Sequence, residues 1–371
     1  MRVLDRYIGR QLLVTAIFAI TTLSVVLVLG NIFKKLLDLL VNQNAPVSLI
    51  LSFIAYVLPF SLTFTIPWGF LTAVLLVFGR LSAENELTSM RATGVSVQRA
   101  CLTVWLLAAL FTAICLWINL DVAPRAQQEM KNALFRIATD DPLAMFGNDK
   151  VIDFFPGRKI YVEKSEGNQL TNLLVYALDE AKTLESVTYA PRASIGLQTV
   201  PVKQSDGGFI EEKGISLKLF DGWYEQRDKS HPEDLALIHP GVTIQEGSHA
   251  ISLKELYEKQ RANRRISALP IGDLLDSGKE GVVELNMRLS NALATIAFAL
   301  LAVPLAVTAQ RKETSVGFAI SLAIALLYYV LLFLANLTRG RPWLHPEMMV
   351  WLPTLLFLSV GACRFAVLAR K

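Results

Sequence analysis

Gln11-Leu-Leu-Val-Thr-Ala-Ile-Phe-Ala-Ile-Thr-Thr-Leu-Ser-Val-Val-Leu-Val-Leu-Gly-Asn-Ile-Phe33 runs without a charged residue. A helix advances about 1.5 Å per residue, so about 20 apolar residues cross the hydrocarbon core of a bilayer. This stretch meets that length. It is too long for the apolar core of a signal peptide, and no A-x-A-type cleavage site follows, so it reads as a retained first helix. Five more uncharged stretches follow: Leu39–Gly79, Ala100–Leu120, Leu289–Gln310, Thr314–Thr338 and Met348–Cys363. The last is short, but Phe365-Ala366-Val367-Leu368-Ala369 lengthens it if Arg364 snorkels toward the headgroups. Three stretches precede, and three follow, a polar block from about Asp121 to Arg288. The layout predicts a polytopic α-helical membrane protein of six transmembrane helices (3+3) with one inserted extramembrane domain. The expected limits are 1–122 for helices one to three, 123–283 for the inserted domain and 284–371 for helices four to six.

Composition agrees. A hydrophobic share of 53%, a charged share of 18% and a mean hydropathy of +0.43 are too apolar for a soluble chain of 371 residues. The formal charge of +4 gives no sign of a nucleic-acid partner, because the basic residues cluster beside the apolar stretches and form no single stripe. Cys101, Cys115 and Cys363 all lie in or beside predicted spans, so no disulfide framework holds the polar block. Arg2, Arg6 and Arg10, then Arg80, Arg91 and Arg99, then Arg311 and Lys312, then Arg364, Arg370 and Lys371 share one side if the spans alternate. Basic loops stay in the cytoplasm. Both termini are therefore expected there, with the polar block outside; Lys34-Lys35 and Arg339/Arg341 run against the trend.

The polar block reads as β-structure. Lys159-Ile-Tyr-Val-Glu, Leu173-Leu-Val-Tyr-Ala-Leu and Glu185-Ser-Val-Thr-Tyr-Ala are rich in β-branched and aromatic residues. Ile215, Leu217 and Leu219 alternate with Ser216, Lys218 and Phe220, and Asp221-Gly222 reads as a turn before Trp223-Tyr224. Pro156-Gly157, Gly167-Asn168, Asp206-Gly207-Gly208 and Pro240-Gly241 punctuate the runs, which suggests a sandwich or jellyroll. From Ser252 the pattern turns helical.

Catalytic chemistry is not in evidence. His231, His239, His249 and His345 are scattered without H-x-x-x-H spacing or a cysteine partner, which argues against a zinc site. There is no G-x-S-x-G elbow, and Gly278-Lys279-Glu280 lacks the first glycine and the hydroxyl residue of a phosphate loop. The spans hold no acidic pair for hydrolysis or proton relay. The chain is thus expected to be no enzyme and to need no cofactor or metal, with energy supplied by a partner.

Arg80-Leu-Ser-Ala-Glu-Asn-Glu-Leu-Thr-Ser-Met-Arg-Ala-Thr-Gly-Val-Ser connects spans two and three. Ser82 reads as a helix cap, Glu84 complements the dipole, and Gly94 suits the left-handed position just past the end, giving a helix at about 80–94. Ala83, Leu87 and Met90 form one stripe; Glu84, Thr88 and Arg91 fall on another face. Such a helix either lies on lipid or inserts into a groove of a cytosolic ATPase. Two acidic residues facing an anionic surface disfavour the first reading.

Several segments resemble the lipopolysaccharide export permeases of the LptF/LptG family. These are Val3-Leu-Asp-Arg-Tyr-Ile-Gly-Arg, Asn85-Glu-Leu-Thr-Ser-Met-Arg-Ala-Thr-Gly-Val-Ser, Val122-Ala-Pro at the end of span three, Tyr176-Ala-Leu-Asp-Glu and Glu284-Leu-Asn-Met-Arg. Each motif is short; their order within this topology makes the match specific. The Tyr176 segment and the Val3–Arg10 start lean toward the LptG branch. The resemblance implies a β-jellyroll-like periplasmic domain and an ABC transporter of two paralogous permease subunits, LptF with LptG, driven by a cytosolic dimer of the ATPase LptB. It implies extraction of lipopolysaccharide from the inner membrane and transfer to periplasmic LptC/LptA. The family acid that meets the ATPase falls on Glu86, with Glu84 a second candidate, and Arg91 and Gly94 complete the ATPase-coupling set. A family basic position matches Lys34 and another matches Lys131; Arg136 is shifted from its counterpart, where this chain has Leu134. Lys34, Lys35, Lys131, Arg125 and Arg136 are the expected lipopolysaccharide-binding residues, since phosphate clamping needs cations at headgroup height. Against this, Lys34 and Asp38 also form an i,i+4 pair, and lysines at helix ends snorkel anyway.

Trp68, Trp105, Trp117, Trp343 and Trp351 fit an aromatic belt or helix packing, and Pro59, Pro67, Pro304 and Pro353 are expected to kink the spans. Two other readings stay open: a permease subunit for another amphiphile, such as a lipoprotein or phospholipid, and a non-transporting membrane scaffold.

Overall fold

In hydrocarbon no water satisfies the backbone, so each long apolar run must close its hydrogen bonds within itself, as a helix. The computed structural model describes residues 2–42, 47–140, 149–152, 157–179, 183–203, 209–226, 239–252, 266–309 and 314–370. Among them, six helical spans are long and apolar enough to cross a membrane: Val3–Gly30, Leu51–Ala83, Val97–Met130, Gly278–Thr308, Val316–Arg339 and Pro346–Arg370. An antiparallel sheet lies between the third and fourth in the chain. This is the architecture of a polytopic membrane protein with an inserted domain. Contacts divide the chain into two units, Met1–Leu37 with Pro46–Met130 and Arg265–Lys371, and Asp38–Ala45 with Lys131–Arg264.

The first unit is helical. The helices α1 (Arg2–Asn42) and α2 (Val47–Ala83) are followed by short α3 (Glu86–Ala92) and α4 (Val97–Ala100) and by α5 (Leu102–Trp117). A π-turn, Ile118–Val122, leads into α6 (Ala123–Asp140), so span three runs on through the expected Val122-Ala-Pro end as helix. Pro124, which lacks an N–H, lies two residues past that turn, a usual setting for a local change of helical pitch. After the sheet come α7 (Ile271–Asp276), α8 (Gly278–Ala309), α9 (Thr314–Asn336), α10 (Pro346–Met349) and α11 (Leu352–Arg370).

The helices α2 and α8 form the spine. In an apolar 18-residue stretch of each, 72% and 67% of the residues are buried, against 28–39% for the other four spans, which keep apolar faces outward for lipid. Because lipid is as apolar as leucine, small residues and polar glue decide helix packing. Ala292, Ala294, Ala297, Ala299 and Ala302 of α8 are fully buried. Gly361 of α11 lets that helix close on α8, since a Cβ there would sit 2.9 Å from the Leu301 backbone N. Polar groups bond across helices: Ser24 to Thr65 (2.8 Å), Thr72 to Ser321 (3.0 Å), Ser290 to Thr354 (2.7 Å) and Tyr328 to Thr354 (3.0 Å). Pro67 withholds the N–H that the Thr63 carbonyl would accept four residues back. The Asn291 amide of α8 donates to that carbonyl at 3.0 Å, and the Cys115 thiol approaches it at 3.7 Å.

The second unit carries one six-stranded antiparallel sheet in chain order: β1 (Lys150–Ile152), β2 (Arg158–Glu166), β3 (Gln169–Leu178), β4 (Leu184–Lys203), β5 (Phe209–Gln226) and β6 (His239–Ser252). Alternation puts Ile160, Val162, Leu170, Leu173, Ala190, Ala193, Ile195 and Leu219 together in one buried cluster. Gly167, at φ 59°, turns β2 into β3 as read from the sequence. Asp221-Gly222 does not make the expected turn. Both residues lie inside continuous β5, where Asp221 kinks the strand at φ 53° and pairs with Arg192 at 2.7 Å. Pro240-Gly241 likewise sits within β6. The expected breakers at Pro156 and 206–208, and the helical turn after Ser252, lie outside the described residues.

Candidate functional site

The connection between spans two and three folds differently from a single helix at 80–94. The helix α2 continues to Ala83, with Leu81 fully buried. Ser82 is therefore no cap: its hydroxyl donates to the Val307 carbonyl of α8 at 3.1 Å. Asn85 reverses the chain at φ 59°, tolerable for Asn because its short side chain suits the left-handed region. The new helix α3 starts at Glu86. Gly94, at φ 84°, closes it as the sequence predicts: its N–H donates to the Arg91 carbonyl and that of Val95 to the Met90 carbonyl, both at 3.0 Å.

This geometry gives α3 two faces. Leu87 is buried and Met90 packs on the helical core. Glu84, Thr88, Ser89, Arg91 and Gly94 are exposed. Glu86 lies between, half-buried, and its carboxylate accepts from the Tyr7 hydroxyl of α1 at 3.3 Å to each oxygen. A second tie lies nearby, where Arg99 pairs with Asp5 of α1 at 2.9 Å. Both contacts are solvent-screened and each is worth at most about 1 kcal/mol. Their effect is positional: the segment is attached to the start of α1 as well as to α2. Sequence reasoning missed Tyr7 and Asp5, although both lie in the Val3–Arg10 motif.

Lys34 and Lys35 lie on α1, and Lys131 and Arg136 on α6, but their side chains fall outside the described residues. Arg125 pairs with Asp121 one turn back, at 2.5 Å, in an exposed contact. Sequence reading also missed a buried charged cluster. Glu284 and Arg288, 5% and 6% exposed, pair at 3.5 Å, and Arg339 reaches Glu284 at 2.5 Å. Arg288 further donates to the carbonyls of Ser267 and Leu269, both at 3.0 Å. Arg339, which runs against the charge asymmetry, thus shares with Arg288 a carboxylate 55 residues away in the chain.

The sequence model of the family "Lipopolysaccharide export system permease LptF/LptG" matches residues 6–367. The lipopolysaccharide export system permease protein LptF of Escherichia coli (strain K12) is 21% identical over 373 residues, covering 97% of this chain and 93% of that protein. The protein of the same name from Shigella flexneri matches equally, at 21% over the same span. These relatives carry the LptF name, whereas the Tyr176 segment and the Val3–Arg10 start lean toward LptG; what the match establishes is the shared family. A family match over nearly the whole length, on six apolar helices with a sheet between the third and the fourth, makes this chain a member of the LptF/LptG family of lipopolysaccharide export permeases, multi-pass proteins of the inner membrane.

Proposed function

We propose that this chain is one of two paralogous permease subunits of an ABC transporter that lifts lipopolysaccharide from the inner membrane into a periplasmic bridge. A cytosolic LptB dimer supplies ATP hydrolysis, LptC/LptA receive the lipid, and the chain itself performs no covalent chemistry. Both termini lie in the cytoplasm, and residues 123–283 form the periplasmic domain in a 3+3 arrangement. A jellyroll-like form for it rests on the family resemblance; β4 and β5, of 20 and 18 residues, are long enough for the sheet to coil.

The observation that carries the reading is α3. It is anchored by buried Leu87, turned outward by Asn85 and Gly94, and presents Glu84, Arg91 and the edge of Glu86 where a cytosolic ATPase would dock. The Glu86–Tyr7 contact ties α3 to α1, and on either side of it Ser82 of α2 bonds the Val307 carbonyl of α8 and Arg99 of α4 pairs with Asp5 of α1, so a push on this segment has a route into α1, α2 and α8. Lys34, Lys35 and Lys131 are the proposed phosphate contacts for the lipid, with Arg136 beside them; the Asp121 pairing places Arg125 last. The family match favours neither another amphiphile nor a scaffold. The test uses the complete complex in nanodiscs. Glu86→Ala lowers ATPase co-purification and lipopolysaccharide release, and Lys34→Asp lowers photocrosslinking of lipopolysaccharide. Undiminished docking with Glu86→Ala would refute the coupling role, and unchanged crosslinking would remove Lys34.

A further inference from the structure

We infer that the groove between the first turns of α1 and the last turns of α2 is a binding site for an anionic phospholipid, distinct from the transported lipid. The groove encloses about 790 Å³ and is lined by Arg6, Arg10 and Arg80 together with Val14 and Leu76. All three arginines are exposed, and none of their guanidinium groups makes a hydrogen bond or ion pair among the described residues. For Arg6 and Arg10 the placement is costly without an anion. Arg6 lies near the amino end of α1, where the helix dipole disfavours cations, and Arg10 follows at i+4, a spacing at which like charges repel. Arg80 adds a third positive charge from α2.

The rest of the lining selects the kind of anion. Val14 lies one turn, about 6 Å, beyond Arg10. It is 58% exposed, and with Leu76 it forms an apolar wall that continues along the membrane-spanning parts of α1 and α2. A free phosphate gains nothing from that wall. A phospholipid fits both parts, with its phosphate among the guanidinium groups, which bind phosphate through paired N–H donors, and an acyl chain along Val14 and Leu76. The site does not depend on the transported substrate, so it stands or falls separately from the proposed function.

The test is native mass spectrometry of the assembled complex from nanodiscs of phosphatidylcholine doped with phosphatidylglycerol. The intact chain retains phosphatidylglycerol in preference to phosphatidylcholine. At roughly fivefold per surface arginine, Arg6→Gln/Arg10→Gln lowers retention about thirtyfold. Arg364→Gln/Arg370→Gln removes the same charge from another exposed helix end and leaves retention within about threefold, since generic attraction to one headgroup is screened within a Debye length. Arg6→Lys/Arg10→Lys keeps most of the binding, and still reports on the site if the glutamine variant fails to assemble. Equal losses in the two glutamine pairs, no preference for phosphatidylglycerol in the intact chain, or displacement of the lipid by inorganic phosphate would each overturn the assignment.

Discussion

Asn291→Leu tests whether the α2–α8 spine depends on a donor borrowed to replace the one Pro67 lacks. The Thr63 carbonyl is deep in the helical unit, with the Asn291 amide at 3.0 Å and only a weak thiol donor, Cys115, at 3.7 Å. Leaving a buried acceptor unpaired costs about 1–3 kcal/mol, whereas hydrogen bonds between membrane helices average about 0.6 kcal/mol. The single substitution reads a difference, because the Asn291 Oδ1 itself is buried without a partner among the described residues, and leucine removes that burden too. A double-mutant cycle separates the terms. Pro67→Ala restores a backbone N–H four residues after Thr63, so Asn291→Leu costs less in that background by about 1 kcal/mol. Reversible unfolding of the purified protein in mixed detergent–SDS micelles measures all four corners. Additivity within about 0.3 kcal/mol would show that the two residues do not share the Thr63 carbonyl, and the argument from Pro67 would fail.

Gly361→Ala places a Cβ 2.9 Å from the Leu301 nitrogen and 3.0 Å from the Leu300 carbonyl carbon, both backbone atoms that cannot swing aside. The expected loss is about 1–3 kcal/mol in the same unfolding assay, and an unchanged midpoint would contradict the close approach of α11 to α8. Glu284→Gln removes the carboxylate facing Arg339 and Arg288 and costs about 3–5 kcal/mol, with the loss recovered in part by an added Arg339→Leu. Wild-type stability of Glu284→Gln would show that the cluster carries no charge-pairing energy. In the sheet, the Tyr161 hydroxyl donates to Asp149 at 2.9 Å, which raises the phenol pKa; minor desolvation and the nearby Asp149 and Glu163 charges act in the same direction. The protonated phenol is the form the fold favours. Its contribution is therefore complete below the unfolded value near 10 and is lost as pH rises through the higher folded value. Spectrophotometric titration of phenolate formation should move down for Asp149→Asn, and an unmoved midpoint would disprove the bond.

The spans were readable because each is decided by its own residues. Gln11–Phe33 is apolar enough to be a membrane helix whatever it packs against, and Ile160 and Val162 alternate for β2 in the same self-contained way. Gly94 was also readable, since a left-handed φ past a helix end is a local demand. Other signals misled because a local preference met a distant partner. Ser82 looks like a cap, but its hydroxyl finds Val307, 225 positions later. Asp221-Gly222 looks like a turn, but β4 and β6 pair on both sides and hold the strand open through a kink. In the candidate site, Glu86, Arg91 and Gly94 could be named in advance, while Tyr7 and Asp5 could not, since their partners lie 79 and 94 residues away.

The sequence by itself determined that the chain enters a bilayer six times and carries a strand-rich insert, because transfer of apolar residues into lipid and two-residue alternation are sums over neighbours in the chain. The tertiary structure decided that α2 and α8 are the buried spine, that Asn291 serves the carbonyl Pro67 leaves open, and that Arg339 pairs with Glu284. Those outcomes depend on which helix faces meet. Inside a bilayer the hydrophobic effect does not choose among faces, so scattered small residues and single polar atoms choose instead.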